Sequence, residues 1–206
     1  MPNRFQRSFP SFLLWSRLGL APFVPLAGLG LPSPLSGQIL SGLMAWALVS
    51  DIFDGILARR WGVSTVAMRR WDSTVDTIFW LVLLGTLAVA HPAFFNEHCR
   101  GFGAVLLLEA ATYLVSWARF GKEPATHTLG AKLWTLLFFA FLAEIALTGR
   151  ADRLWWPCFL GAVAVRLEVL AILATLRTWA SDVPHLGAAL RLRRGEAISR
   201  NRILNG

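Results

Sequence analysis

Charged residues are scarce in this sequence, and its two cysteines are too few to form a disulfide framework. Only 16% of the 206 residues are charged, whereas 55% are hydrophobic and the mean hydropathy is +0.54. This composition is typical of a polytopic membrane protein and leaves no room for a separate soluble domain. We also find no internal repeat and no low-complexity segment in the chain.

Acidic residues are in particularly short supply. There are 12 Asp and Glu against 20 Lys and Arg, which gives a net charge of +8. In a membrane protein this excess predicts contact with anionic lipid headgroups rather than with nucleic acid. The 10 tryptophans suit anchoring at the membrane–water interface.

Long apolar runs predict an all-α fold with six transmembrane helices, organised as a single domain over residues 1–206. Residues 1–10 resemble the basic start of a signal peptide. The apolar run that follows is long enough to span a membrane, so we expect this run to be retained in the mature protein. The predicted spans are approximately residues 12–31, 38–59, 70–90, 102–119, 133–148 and 154–177. A basic cytoplasmic tail is predicted over residues 179–206.

The distribution of Lys and Arg predicts that both chain ends are cytoplasmic. The predicted outer loops contain only Arg100, Arg150 and Arg153, whereas the inner segments contain most of the other basic residues. Cytoplasmic loops of membrane proteins carry an excess of such residues. The active site is therefore predicted at the cytoplasmic ends of the second and third spans, where the aspartates described next are found.

Four aspartates are concentrated in one short segment next to the predicted membrane. Carboxylates are costly there and need an explanation. Asp51 and Asp54 are spaced i,i+3, and Asp72 and Asp76 are spaced i,i+4, so each pair shares one helix face. Two antiparallel helices could aim both pairs at a common point. Carboxylates gathered at one point need cations, and Mg²⁺ or Mn²⁺ is the first expectation for oxygen ligands.

Spacing alone leaves other interpretations of these aspartates open. They could pair with the four arginines of the intervening stretch as a loop network; these are Arg59, Arg60, Arg69 and Arg70. They could also line the ion path of a cation transporter, but such a path needs polar groups through the whole membrane. Here the polar groups gather at one face.

The segment from Asp51 to Asp76 reads D-x2-D-G-x2-A-R-x12-D-x3-D. It resembles the signature of the CDP-alcohol phosphatidyltransferases, membrane enzymes of phospholipid synthesis. The stretch Pro10 to Pro22 weakly resembles the opening of the first helix of this family. Where the family pattern has a glycine, this chain has Met68. Because of this difference, a second interpretation stays open: the chain is a diverged family member that acts as a non-catalytic membrane scaffold.

The resemblance implies an enzyme that transfers a phosphatidyl group from a CDP-linked lipid to an alcohol, with release of CMP. CDP-diacylglycerol is the expected donor, and a small alcohol or alcohol phosphate is the expected acceptor. By the same resemblance Asp51, Asp54 and Asp72 would bind two divalent ions. Asp76 would be the general base and a further metal ligand.

The resemblance also implies a nucleotide site at Gly55, Ala58 and Arg59. Gly55 would let the nucleotide approach the backbone, Ala58 would keep the pocket open, and Arg59 would contact phosphate. Arg119 and Lys132 fall on the same predicted membrane face as the aspartates and could bind a phosphate on the acceptor. Ordinary cytoplasmic loop charge is the alternative for both residues.

Several further expectations concern single residues and the cellular setting. Arg17 in the first span either extends its charge toward the membrane surface or contacts a phosphate. Arg166 and a glutamate in the later spans are interpreted as a structural pair. Cys99 and Cys158 both map to the outer side and could form one disulfide. The resemblance implies a homodimer, and the size and family favour a bacterial inner membrane.

Overall fold

The computed structural model describes residues 3–124 and 128–196, without the side chains of Arg7, Val66, Arg69 and Arg70. Every regular element in these residues is a helix, which confirms the all-α prediction. The helices are α1 (Arg4–Leu20), α2 (Phe23–Gly30), α3 (Leu35–Arg60), α4 (Val66–Ala90), α5 (Pro92–Glu97), α6 (Cys99–Phe120), α7 (Leu129–Thr148), α8 (Trp155–Thr175) and α9 (Leu186–Arg193). The last part of the predicted tail, residues 197–206, lies outside the described residues.

Six stretches are long and apolar enough to cross a membrane, in agreement with the predicted number of spans. They are Arg4–Gly30, Leu35–Arg60, Trp71–Ala90, Cys99–Phe120, Leu129–Thr148 and Trp155–Thr175. The protein is therefore an integral membrane protein of the polytopic all-α class.

The first span begins earlier than predicted and is broken into two helices. Asn3 and Gln6 form a capping box, in which each side chain accepts a hydrogen bond from the other residue's backbone N–H at 2.8 and 2.9 Å. This pair starts α1 before the apolar run. The break between α1 and α2 falls at Ala21 and Pro22, where proline has no N–H to continue the helical hydrogen bonds.

The described residues form two compact units, and the first contains all four aspartates. It comprises Met1–Asn96 and Leu142–Ala151. Within it, α1 and α2 each pack against both α3 and α4. Fully buried Met44, Phe79 and Leu83 belong to its core. A side chain on α1 can therefore contact both of the helices that carry aspartates.

The second unit comprises Glu97–Phe141 and Asp152–Gly206. In this unit α8 packs against α6 and α9. Trp155 is nearly buried and its ring lies 4.1 Å from His98 and 5.2 Å from Phe102 between ring centres. A second apolar cluster joins the end of α8 to α9 through Ile172, Leu176, Val183, Ala188 and Ala189. The organisation as a single domain remains a prediction.

Candidate active site

The four aspartates of α3 and α4 converge on one point, as the sequence predicts. Asp51 and Asp54 lie near the end of α3, and Asp72 and Asp76 lie in the first turns of α4. Asp51, Asp72 and Asp76 each offer a carboxylate oxygen, and these oxygens lie within 4.8 Å of one another. We call the four carboxylates the aspartate centre.

The turn between the two helices has a local cause in the sequence. Gly62 adopts a left-handed conformation with φ of +66°, which glycine adopts without steric cost. The N–H of Val63 then donates to the carbonyl of Ala58 at 3.0 Å, which closes the end of α3. Thr65 starts α4, because its hydroxyl oxygen accepts from the N–H of Met68 at 3.1 Å.

A guanidinium from α1 lies in the middle of the aspartate centre. Arg17 is completely buried, and it donates hydrogen bonds to all four carboxylates. One terminal nitrogen binds Asp51 at 3.0 Å and also contacts Asp76. The other binds Asp72 at 2.7 Å and also contacts Asp54. The sequence analysis considered a membrane-surface or a phosphate role for Arg17, but its hydrogen bonds in the structure go to carboxylates.

The aspartate centre has a buried side and an open side. The side chains of Arg17 and Asp54 are 0% and 1% exposed, whereas that of Asp51 is 39% exposed. Asp72 and Asp76 are also partly exposed, at 32% and 28%. A ligand that approaches the centre therefore meets Asp51, Asp72 and Asp76 first.

The donor set fits a hard divalent cation. Mg²⁺, Mn²⁺ and Ca²⁺ prefer carboxylate oxygens, and three partly exposed carboxylates offer them within a small volume. The net charge supports the same conclusion, because one guanidinium balances only one of four carboxylates. A bound cation would reduce the repulsion that remains among these carboxylates.

A sequence model of the CDP-alcohol phosphatidyltransferase family matches residues 8–176. The chain belongs to this family. No solved structure matches the protein. Membership establishes the coarse chemistry: members act on a CDP-alcohol and an alcohol acceptor, work among membrane lipids and use divalent metal ions.

In this phosphatidyltransferase-family protein, the other positions of the signature line one stretch of α3. Gly55 leaves space for the side chain of Arg59 one turn later, since an added Cβ would lie 3.2 Å from a terminal nitrogen of that arginine. Ala58 is buried at 4% exposure, and Arg59 is exposed. Their roles in nucleotide binding remain predictions. Met68 lies in the first turn of α4.

The two residues that the sequence suggested for acceptor binding belong to the second unit, whereas the aspartates belong to the first. Arg119 donates hydrogen bonds to the carbonyls of Leu173 and Leu176, at 2.8 and 3.1 Å, and so caps the end of α8. Lys132 lies in the first turn of α7. Acceptor binding by Arg119 and Lys132 remains a prediction.

The structure also shows the surroundings of the arginine and the two cysteines that the sequence analysis considered. Arg166 of α8 forms an ion pair with Glu109 of α6, which agrees with the interpretation as a structural pair. Cys99 and Cys158 are both free thiols, one exposed and one buried.

An open apolar groove of about 410 Å³ lies between α1 and α3 in the first unit. Leu13, Trp46, Phe53 and Trp61 contribute to its walls. Ser50, also in the wall, precedes the first aspartate directly in the sequence. An apolar space thus borders the helix segment that carries Asp51 and Asp54.

Proposed function

We propose that the protein transfers a phosphatidyl group from CDP-diacylglycerol to a small alcohol or alcohol phosphate in phospholipid biosynthesis. The observation that carries this proposal is the convergence of four signature aspartates in an integral membrane member of the family. The proposed location is the bacterial inner membrane, with the aspartate centre on the cytoplasmic side and the chain acting as a homodimer.

The aspartate centre is proposed to hold two divalent ions, Mg²⁺ or Mn²⁺. Asp51, Asp54, Asp72 and Asp76 are the proposed ligands. When bound, the ions neutralise the pyrophosphate and the charge that develops as CMP leaves. The partial exposure of Asp51, Asp72 and Asp76 supports their access to ions and substrate.

Asp76 is the proposed general base. The acceptor oxygen attacks the phosphorus that bears the diacylglycerol, the bond from that phosphorus to the oxygen of CMP breaks, and the hydroxyl proton passes to the carboxylate of Asp76. Asp76 lies one helical turn beyond Asp72, on the same face of α4, and its side chain is 28% exposed. A hydroxyl could therefore approach it from the open side of the centre.

The nucleotide and the lipid chains of the donor have separate proposed contacts. Gly55, Ala58 and Arg59 are proposed to receive the cytidine diphosphate, because Arg59 is exposed and follows Gly55 by one turn of α3. The open apolar groove between α1 and α3 is the proposed contact for an acyl chain. Arg119 and Lys132 remain the proposed contacts for a phosphate on the acceptor.

The test is an assay of the purified protein with labelled CDP-diacylglycerol, Mg²⁺ or Mn²⁺ and a panel of alcohols. Metal-dependent release of CMP with one alcohol is the expected result, and it identifies the acceptor. Absence of release with every alcohol, in folded protein, would contradict the proposal. Ion flux through liposomes without CMP release would favour the cation transporter instead.

Two sets of variants assign the roles. Asp76→Asn should abolish transfer while the protein stays folded, and Ser73→Ala, an exposed neighbour on α4, should retain it. Full activity of Asp76→Asn would refute the assignment of the base. Lys132→Gln should raise the acceptor KM and leave the donor KM unchanged if Lys132 contacts the acceptor.

A further inference from the structure

Arg17 uses the same carboxylates that a divalent ion would need. Its two terminal nitrogens each contact two of the four aspartates, so the guanidinium is hydrogen-bonded to every aspartate of the centre. Carboxylate oxygens bind Mg²⁺ at about 2.0–2.1 Å and Ca²⁺ at about 2.3–2.6 Å. A guanidinium at hydrogen-bond distance from all four carboxylates and an ion at those distances compete for the same negative charge.

We propose that Arg17 is an exchangeable counter-ion of the aspartate centre. It holds the four carboxylates together when no metal is bound, and it releases Asp51, Asp72 and Asp76 when a divalent ion binds. This inference rests on the proposed function to the extent that the aspartates are metal ligands. Arg17 is a positioning residue in this proposal, because it contacts the proposed base Asp76 only in the metal-free state and releases it when the ion binds.

The burial of the partners indicates which contacts Arg17 keeps. Asp54 is as deeply buried as Arg17, so the two side chains satisfy each other away from solvent. Separating a buried pair leaves an uncompensated charge, which is strongly unfavourable. The three outer carboxylates are partly exposed and can turn toward an ion on the open side. Arg17 therefore stays on Oδ2 of Asp54 while the outer contacts exchange, and the proposed ligand role of Asp54 falls to its other carboxylate oxygen.

The guanidinium of Arg17 is held by the carboxylates rather than by other hydrogen-bonding groups among the described residues. The Nε of Arg17 is buried and has no hydrogen-bond partner among the described residues. The hydrogen bonds that the structure gives this side chain all go to the four aspartates. Because the four aspartates are the only hydrogen-bond partners of the guanidinium among the described residues, we expect its position to follow the carboxylates when they change partners.

The experiment measures Mn²⁺ binding by the electron paramagnetic resonance signal of the free ion, together with thermal unfolding in a chelator and at saturating Mn²⁺. The proteins are the wild type, Arg17→Gln, Arg17→Lys and Arg4→Gln, an exposed control on the same helix. Arg17→Gln should bind Mn²⁺ about tenfold tighter or more, because the competing charge is gone. Its unfolding midpoint should fall in chelator and recover with Mn²⁺.

The controls separate competition from a general structural effect. Arg17→Lys should bind Mn²⁺ with intermediate affinity, because a single ammonium keeps the charge but not the fork of donors. Arg4→Gln should match the wild type in both measurements. A purely structural role of Arg17 would lower stability without tightening Mn²⁺ binding.

Each outcome decides for or against the inference. Unchanged or weaker Mn²⁺ binding by folded Arg17→Gln overturns it, and if that variant does not fold, unchanged binding by Arg17→Lys overturns it instead. If the wild type releases CMP while Mn²⁺ affinity is unchanged in the variants, only this inference fails. If Mn²⁺ binding tightens as expected but no CMP is released, only the proposed function fails. Absence of Mn²⁺ binding in every protein overturns both.

Discussion

The aspartate centre concentrates more negative charge than its one guanidinium balances. Replacing Asp51 by Asn should therefore stabilise the metal-free protein, since it removes one of four mutually repelling carboxylates. Each pair of like charges about 4 Å apart repels by about 1–4 kcal/mol, depending on the local dielectric, and the lost hydrogen bond from Arg17 to Asp51 offsets part of the gain. Thermal unfolding in the presence of a chelator measures this gain as a raised midpoint.

The same Asp51→Asn variant should lose part of its response to metal. Saturating Mn²⁺ should raise its unfolding midpoint less than it raises that of the wild type, because one ligand is missing. Glu123→Gln, at an exposed carboxylate of the second unit, is the matched control and should change neither value. A lowered metal-free midpoint for Asp51→Asn would show that the attraction between Asp51 and Arg17 outweighs the repulsion between Asp51 and the other carboxylates.

The residues of the centre were predictable from the sequence to different degrees. Helical spacing places Asp51 with Asp54 and Asp72 with Asp76, so their convergence needed only a turn between two helices. Arg17 lies on a third helix, and no spacing rule relates it to the aspartates. The available signal was general: a cation inside an apolar span requires a partner of opposite charge.

Among the helices, a glycine of α3 permits a close approach to α7. A Cβ added at Gly37 of α3 would overlap the carbonyl oxygen of Ala146 in α7 and would lie 3.0 Å from the Cα of Leu147. Small residues allow helix backbones in membranes to approach in this way. Gly37→Ala should therefore destabilise the protein, measured as a lower unfolding midpoint in detergent.

A second glycine of α3 provides the matched control for this substitution. A Cβ added at Gly42 would have no heavy atom within 4 Å. Gly42→Ala should leave the midpoint unchanged or raise it, because alanine is favoured over glycine in a helix by about 1 kcal/mol. Equal effects of the two substitutions would indicate that the contact between α3 and α7 contributes nothing to stability.

The helices themselves were largely predictable, because long apolar runs are a strong signal and the six spans depend on them. The short helices α5 and α9 were not predicted from the sequence. The segment that begins with Pro92 reads as a polar loop, yet it contains α5, and the basic tail contains α9. Both have fewer than ten residues, so their formation depends on neighbouring contacts, such as the packing of Ala188 and Ala189 near the end of α8.

For the whole molecule, the distribution of basic residues is the basis for the predicted topology. Arg100, Arg150 and Arg153 are the basic residues of the predicted outer segments. Arg100 lies in the first turn of α6, and Arg150 and Arg153 lie between α7 and α8. The start of α6 and the link between α7 and α8 are both at ends of candidate spans, as the predicted topology requires. The orientation of the chain in the membrane remains a prediction from charge.

The two free thiols provide a test of this orientation. Cys99, at the start of α6, is exposed and should react with a membrane-impermeant maleimide in intact cells that produce the Cys158→Ser variant. Cys158 is buried, so the Cys99→Ser variant should be labelled only after denaturation. Labelling of Cys99 only after the membrane is permeabilised would place the start of α6 on the cytoplasmic side. Because the predicted spans alternate in direction, the aspartate centre would then face outward, away from the compartment in which cytidine nucleotides are made.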